Sequence, residues 1–312
     1  MIKPKILFMG TPEFAVPALS LLVELNYPLG GVVTQPDRPQ GRGQALHPSP
    51  VKNFALAHHL PILQPERVRD DDFLKTFRQL SPDMVVLAAF GQILPTEIID
   101  GPKMGCLNIH PSLLPRYRGA APINWAIIRG EQKTGVTIMQ MAEELDAGDI
   151  IMQCETAIGA DETFDQLHDR LARLGAELLV KAIEMTVRGT AVRVAQDGTK
   201  ATCAPMLKKE DGLIRWDRDV DSIVNLIRGL ASSPGAYTFL EGKKLKVLGA
   251  KGEKRDTGKP PGTVARQEET RLTVSAGNGY VHLQDVQMES KKRMAVQDFL
   301  RGYQVRAGSV LG

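Results

Sequence analysis

The stretch "KILFMGTPEFAVPALSLLVEL" (residues 5–25) decides how the first half of the chain is read. Its opening run, Ile6 to Met9, is short, apolar and closed by Gly10, as in a buried strand. A Thr-Pro turn follows, and residues 14–25 read as a helix. A basic-then-apolar beginning can imitate a secretion signal, but here the apolar part is too short and runs straight into a proline turn. The strand-turn-helix order also invites the dinucleotide fingerprint G-x-G-x-x-G. Pro12 stands where its second glycine belongs, so a pyrophosphate cannot be approached in the usual way, and a nicotinamide enzyme is disfavoured. No Walker lysine motif follows any of the strands.

Working outward, residues 30–35, 83–90, 105–112, 135–141 and 149–158 repeat the Val/Ile/Leu-rich strand pattern between helical stretches. Such alternation predicts an α/β domain on a Rossmann-like, mostly parallel sheet. From Asp161 to Arg188, Phe164, Leu167, Leu171, Leu174, Leu178 and Ile183 recur at helical spacing, with Asp161 as N-cap and Gly189 as stop. After residue 208 the texture changes to short strands at 235–240, 243–250, 262–266, 271–277 and 279–288, then a helix at 294–303. That reads as a small antiparallel OB-like β-barrel domain. The expected division is a catalytic domain over 1–189, a linker over 190–207 and the β domain over 208–312.

The chain of 312 residues is 43% hydrophobic and 24% charged, ordinary for a globular protein of two domains. No apolar run nears the ~18 residues of a membrane span, so no membrane partner is expected. Cys106, Cys154 and Cys203 form neither a paired framework nor a metal spacing, which points to a reducing, cytoplasmic setting. Histidines 58, 59, 168 and 282 show no ligand spacing either, and no metal is expected. The net charge of +3 is unevenly spread: residues 204–312 hold 19 Lys/Arg against 13 Asp/Glu. This is either scatter or the signature of a polyanion-binding accessory domain.

The chemistry concentrates in "LNIHPSLLPRYRGAAP" (107–122). Alternation in a strand puts Asn108 and His110 on one face, and Pro111 and Pro115 end the strand and shape a loop. The carboxyl ends of parallel strands are where open α/β sheets hold ligands. An Asn amide and a His ring there can stabilise a carbonyl oxygen that becomes an oxyanion, or can be a buried polar pair served by backbone. A carboxylate from "ELDAGDI" (144–150) can orient the ring; Asp146 is preferred, with Asp149 as competitor. Cys106 lacks a base partner and reads as a small buried hydrophobe. In "AAFGQIL" (88–94) the strand turns at Gly91, and Phe90 and Ile93 form either core or the wall of an aromatic ligand. Residues 35–52 make a long Pro/Gly-rich loop whose Arg38, Arg42, His47 and Lys52 face a single acid, Asp37. It is either a solvated surface loop or a set of phosphate contacts. In the β domain, Lys243 and Lys246 within "KKLK", with residues 251–255 and 291–293, can form a basic track.

Four strings, "MGTPEFAVPAL", "AAFGQILP", "LNIHPSLLPRYRGAAPI" and "TGVTIMQMAEELDAGDI", together resemble the methionyl-tRNA formyltransferase family. The resemblance covers most of the N-terminal domain and extends to the small β domain behind it. It implies 10-formyltetrahydrofolate as formyl donor and initiator methionyl-tRNA as acceptor; a monomer is expected. It further implies an Asn-His-Asp set falling on Asn108, His110 and Asp146, which stabilises a tetrahedral intermediate formed when the methionine α-amine attacks the formyl carbon. Ser112, Leu113, Leu114 and Pro115 match the family's folate-binding signature, and the loop with Phe90, Gly91 and Ile93 is implied to bond the pterin. Loop 35–52 is implied to meet the acceptor end of the tRNA. Members often carry paired lysines after "GRG"; Gln44 and Ala45 stand there instead, which shifts the weight to Arg42.

Glycinamide ribonucleotide formyltransferases share the donor but leave the β domain unexplained. UDP-amino-sugar formyltransferases are the closer alternative, since they too carry a small C-terminal barrel; the basic loop and C-terminal third favour tRNA. An idle RNA-binding scaffold would have no reason to keep the three polar residues.

Overall fold

A computed structural model describes residues 3–40, 45–232, 234–268 and 271–312. The first part of the chain contains β1 (Ile6–Gly10), α1 (Val16–Glu24), β2 (Leu29–Val33), β3 (Arg38–Gln40), β4 (Ala45–His47), α2 (Pro50–Ala57) and β5 (Ile62–Leu63). Then come α3 (Asp71–Leu80), β6 (Met84–Ala88), α4 (Thr96–Asp100) and β7 (Cys106–His110). After these follow α5 (Pro122–Ile128), β8 (Lys133–Gln140), β9 (Ile150–Ala157) and α6 (Phe164–Val187). The remainder holds α7 (Val220–Gly229), β10 (Ala236–Leu240), β11 (Lys243–Lys254), β12 (Val264–Glu268), β13 (Arg271–Ala276), β14 (Gly279–Met288), β15 (Met294–Ala295) and α8 (Val296–Gly302). Two compact units emerge: residues 1–119, 134–156 and 168–203 form one, and 120–133, 157–167 and 204–312 the other.

The first unit is built on a seven-stranded sheet in the order β5-β2-β1-β6-β7-β8-β9. β1 pairs in parallel with β2 and β6, and β6 with β7, while β7 and β8 run antiparallel. Parallel strands are covered on both faces, which explains why β1, β6 and β7 are buried at every position and read as unbroken apolar runs. The chain leaves β1 toward β2 on one side and returns through β6 on the other. That reversal makes the carboxyl ends of β1 and β6 the place where such sheets leave a crevice. The two loops are tied there: Thr11 Oγ1 donates to the Phe90 carbonyl at 3.0 Å, and Gln35 Nε2 donates to the same oxygen at 3.2 Å.

Helix α3 shows how sequence selects an element: Phe73, Leu74 and Phe77 are buried on one stripe, with Asp71 and Asp72 in its first turn. α6 begins later than its expected Asp161 cap. Thr163 occupies that role, because the Gln166 side chain reaches back to accept the Thr163 N–H at 3.0 Å, half of a capping box. Its end agrees with expectation, Gly189 taking φ +69°. Gly175 lets α6 lie close on β7: a Cβ there would stand 2.7 Å from Ile109 Cγ2. Ile109 thus packs on the helix, which leaves Asn108 and His110 on the opposite face.

The second unit carries an antiparallel, curled half-barrel sheet in the order β10-β11-β14-β13-β12, with β15 on β14. β10 buries alternate residues, and register shifts around Gly249 mark irregularities that help the long β11 curl. Its core gathers Trp216, Ile223, Val247, Val274, Val281 and Phe299. Trp216 keeps its indole N–H satisfied on Thr238 Oγ1 at 3.0 Å. Within this unit α5 meets α7, where the buried Asn124 amide donates to the Gly229 carbonyl at 2.8 Å.

Candidate active site

Asn108 and His110 end β7 beside the carboxyl end of β6, and both are nearly closed from solvent, 7% and 4% exposed. Between the two aspartates offered by the 144–150 loop, the geometry selects Asp146. It is buried, and its Oδ1 lies 3.6 Å from His110 Nδ1, while its Oδ2 accepts the Gly119 N–H at 2.8 Å. The other ring nitrogen, Nε2, donates to the Tyr117 carbonyl at 3.0 Å. The Asn108 carboxamide is different: it has no hydrogen-bond partner among the described residues. The residue is 7% exposed and its amide is not among the fully buried unpartnered atoms, so its polar groups keep access to solvent, where a polar ligand atom can be received.

The loop after β7 is held from below. Thr137 Oγ1 donates to the Ser112 carbonyl at 2.6 Å and accepts the Leu114 N–H at 3.1 Å. Gln153 Nε2 donates to the Leu114 carbonyl at 2.8 Å and to Thr137 Oγ1 at 2.9 Å. Ser112 is fully buried, its hydroxyl donating to the Arg116 carbonyl at 2.6 Å, and the Leu114–Pro115 bond is cis. Leu114 is buried, while Leu113 and Pro115 are half-buried. The Ser112 hydroxyl and the Leu114 peptide groups of this segment are therefore spent internally.

Of the other expected residues, Phe90 turns its ring into the core and offers only backbone at the crevice. Gly91 takes φ +88°, and Ile93 stands 88% exposed on the same loop. Arg38 is exposed and makes no ion pair among the described residues. Lys52 is engaged, its ammonium 2.6 Å from Asp37 Oδ2, and Gln64 Nε2 donates to Asp37 Oδ1 at 2.8 Å. The Lys52 hydrogen bond, followed by that from Gln64, holds the Asp37 carboxyl below its usual range. Arg42 lies outside the described residues. In the second unit Lys243 is exposed, whereas Lys246 donates to the Pro234 carbonyl at 2.9 Å. Cys106 is fully buried and desolvation, more than the Asp100 charge, pushes its thiol well up, the opposite of a nucleophile.

Residues that the sequence pattern did not single out complete the corner. Tyr117 supplies a carbonyl to His110, and Gln196 donates to the carbonyls of Asp146 and Gly148. Neither carries a spacing signal, because a bond to a backbone carbonyl leaves no motif. No group of three or more His, Cys, Asp or Glu able to hold a metal occurs among the described residues, and no helix there is long and apolar enough to cross a membrane.

An Asn and a carboxylate-faced His at the carboxyl ends of a mostly parallel sheet, on a chain that goes on into a small curled β unit, define a group-transfer class of α/β enzyme. The chain belongs to the formyl transferase family: the family's formyl transferase domain matches residues 5–183, and its C-terminal domain matches residues 206–304. A methionyl-tRNA formyltransferase of Syntrophus aciditrophicus is 56% identical over 312 residues, covering all of both chains. One from Citrifermentans bemidjiense is 48% identical over 308 residues, covering 99% of this chain and 96% of the relative. Among solved structures, a methionyl-tRNA formyltransferase from Clostridium thermocellum superposes with TM-score 0.56 at 18% identity, over 91% of this chain and 98% of that one. The sugar 3N-formyltransferase WlaRD superposes with TM-score 0.67 at 19% identity, over 94% and 100%. At these identities the two structures speak for the fold.

Proposed function

We infer that the protein transfers a formyl group from 10-formyltetrahydrofolate to the α-amine of methionine on initiator methionyl-tRNA, as a cytoplasmic monomer serving translation initiation. Relatives named for this activity match the chain from end to end, through both units. The observation that carries the chemistry is the unspent Asn108 amide beside a histidine whose far edge faces Asp146.

In the reaction a nitrogen–carbon bond forms between the methionine amine and the formyl carbon, and the carbonyl electron pair moves onto the formyl oxygen. The oxygen pair then re-forms the carbonyl as the bond from that carbon to the folate nitrogen breaks, and this nitrogen takes up the proton the amine gives up. Asn108, whose amide is unspent, is the donor to the oxygen as its charge grows. His110 addresses the same atoms, and the moving proton, once its Nε2–H leaves the Tyr117 carbonyl. Asp146 holds the other edge of the ring. The donor is assigned to the carboxyl ends of β1 and β6; the exposure of Ile93 on the loop after β6 and the internally held 112–115 segment after β7 support that assignment. Arg38 and Lys243, which form no ion pair among the described residues, are available to the tRNA backbone, and Arg42 is assigned to the same contact from its sequence position.

The test is formyl transfer from 10-formyltetrahydrofolate to charged initiator methionyl-tRNA, with glycinamide ribonucleotide and a UDP-amino-sugar as parallel acceptors. Transfer to methionyl-tRNA alone supports the reading. Transfer only to the UDP-amino-sugar overturns the acceptor and keeps the site.

A further inference from the structure

Residues 194–203 read in sequence as part of a connector, yet in the first unit they run against both loops that carry the site. Val194 exchanges backbone hydrogen bonds with Ile150 at 2.8 and 2.9 Å. The Thr202 hydroxyl accepts the Tyr117 N–H at 2.8 Å, and its carbonyl accepts the Arg118 N–H at 2.8 Å. Between these anchors Gln196 spends its whole amide. Nε2 donates to the Asp146 carbonyl at 2.9 Å and to the Gly148 carbonyl at 2.7 Å. Oε1 accepts from Arg118 Nε at 3.1 Å and from Nη2 at 2.8 Å. A guanidinium only donates, so Arg118 turns the Gln196 oxygen toward itself and its two hydrogens toward the loop.

That loop needs a brace. Asp146 takes φ +52°, a region that residues with a side chain rarely adopt. Two positions on, a Cβ at Gly148 would lie 1.8 Å from the Gln140 carbonyl oxygen, so the backbone there passes too close for any other residue. We infer that Gln196, oriented by Arg118, is a positioning residue for formyl transfer: it pins the two carbonyls of this strained loop and so keeps the Asp146 carboxylate facing His110. The inference rests on the reading of His110 and Asp146 given above. Gln196 bonds to Arg118 and to the carbonyls of Asp146 and Gly148, not to Asn108 or His110, and acts through Asp146. Released from it, the loop relaxes and Asp146 no longer holds its 3.6 Å approach to His110.

Steady-state formyl transfer to initiator methionyl-tRNA tests this with Gln196→Ala, Gln196→Glu, Asp146→Ala and the Gln196→Ala/Asp146→Ala double variant. Gln196→Ala is expected to lower kcat about ten- to a hundredfold, the scale of a misplaced catalytic group, with KM for tRNA and folate within about twofold. Gln196→Glu keeps size and the Arg118 pairing but has no hydrogens for the carbonyls, and it is expected to lose as much. In the Asp146→Ala background, Gln196→Ala should cost nothing further. A Gln196→Glu enzyme at the unsubstituted rate, or a full second loss in the double variant, overturns the inference and leaves the site standing. Asp146→Ala at full rate overturns the reading of the site and the inference with it.

Discussion

The polar residues at the end of β7 and the cations assigned to RNA make opposite demands on the chain. Asn108, His110 and Asp146 are buried, and each position is set by neighbours: Ile109 against α6, Tyr117 on the ring, Gly119 on the carboxylate. Arg38 and Lys243 are exposed and form no ion pair among the described residues, while Lys52 and Lys246 are already engaged within their own surroundings. A buried polar group must be accounted for, so its surroundings show its use. An exposed cation costs nothing to leave alone, so its use shows only when a polyanion arrives. The contrast predicts large, discrete effects at the buried corner and small, salt-dependent ones at the surface.

The sharpest break in this comparison is Asn108→Ala. Removing one preorganised donor from a developing oxyanion is expected to lower kcat by about 10²–10³ with KM nearly unchanged, read by steady-state formyl transfer. A loss confined to KM would turn the residue into a binding group. Cysteine reactivity gives the next largest contrast. Cys106, buried and with its thiol pushed up, should resist iodoacetamide in the native protein, while exposed Cys203 reacts. Peptide mapping after brief alkylation reads the two; equal labelling would mean that β7 opens readily.

Gly175→Ala tests whether helix packing sets the site. The added Cβ would press on Ile109 Cγ2 from 2.7 Å, and Ile109 is β-branched and held in a strand. Overpacking of this kind costs about 1–3 kcal/mol, offset by up to about 1 kcal/mol from alanine's better helix propensity. Urea unfolding should therefore show a net loss of about 1–2 kcal/mol, together with a fall in kcat as Asn108 and His110 shift. Equal stability would place the slack in α6 rather than β7.

Much of this is legible in the sequence wherever a local rule has one reading. Unbroken apolar runs give away β1, β6 and β7, and period-two alternation puts Asn108 and His110 on one face. Other features depend on partners far along the chain. Gln196 reaches 50 residues back to Asp146, and no pattern announces a side chain bonded to a backbone carbonyl. The start of α6 escapes a sequence reading because Asp161 and Thr163 are both capping types, and only Gln166 decides between them. Phe90 suits core and ligand wall equally, as any aromatic at a strand end does until the ring is seen turned inward. Lys52 reads as a cation for RNA, and only the fold shows Asp37 already holding it.

That last pair sets the smallest prediction. Arg38→Ala should raise KM for tRNA a few-fold and reduce the slope of log K against log salt by about one, as expected when one phosphate fewer is neutralised. Lys52→Ala should leave the salt slope unchanged, because its charge is already spent on Asp37. The Asp37 carboxyl has a folded pKa below its unfolded value, so the Lys52 clasp contributes fully above the unfolded value, near pH 4, and is lost as pH falls through the lowered folded one. At the pH of translation the clasp is therefore intact. A Lys52→Ala enzyme whose salt slope falls as far as that of Arg38→Ala would show that tRNA pulls Lys52 away from Asp37. Lys52 would then behave as His110 is read to behave at the buried corner: a partner held in the free protein, and exchanged for the substrate on binding.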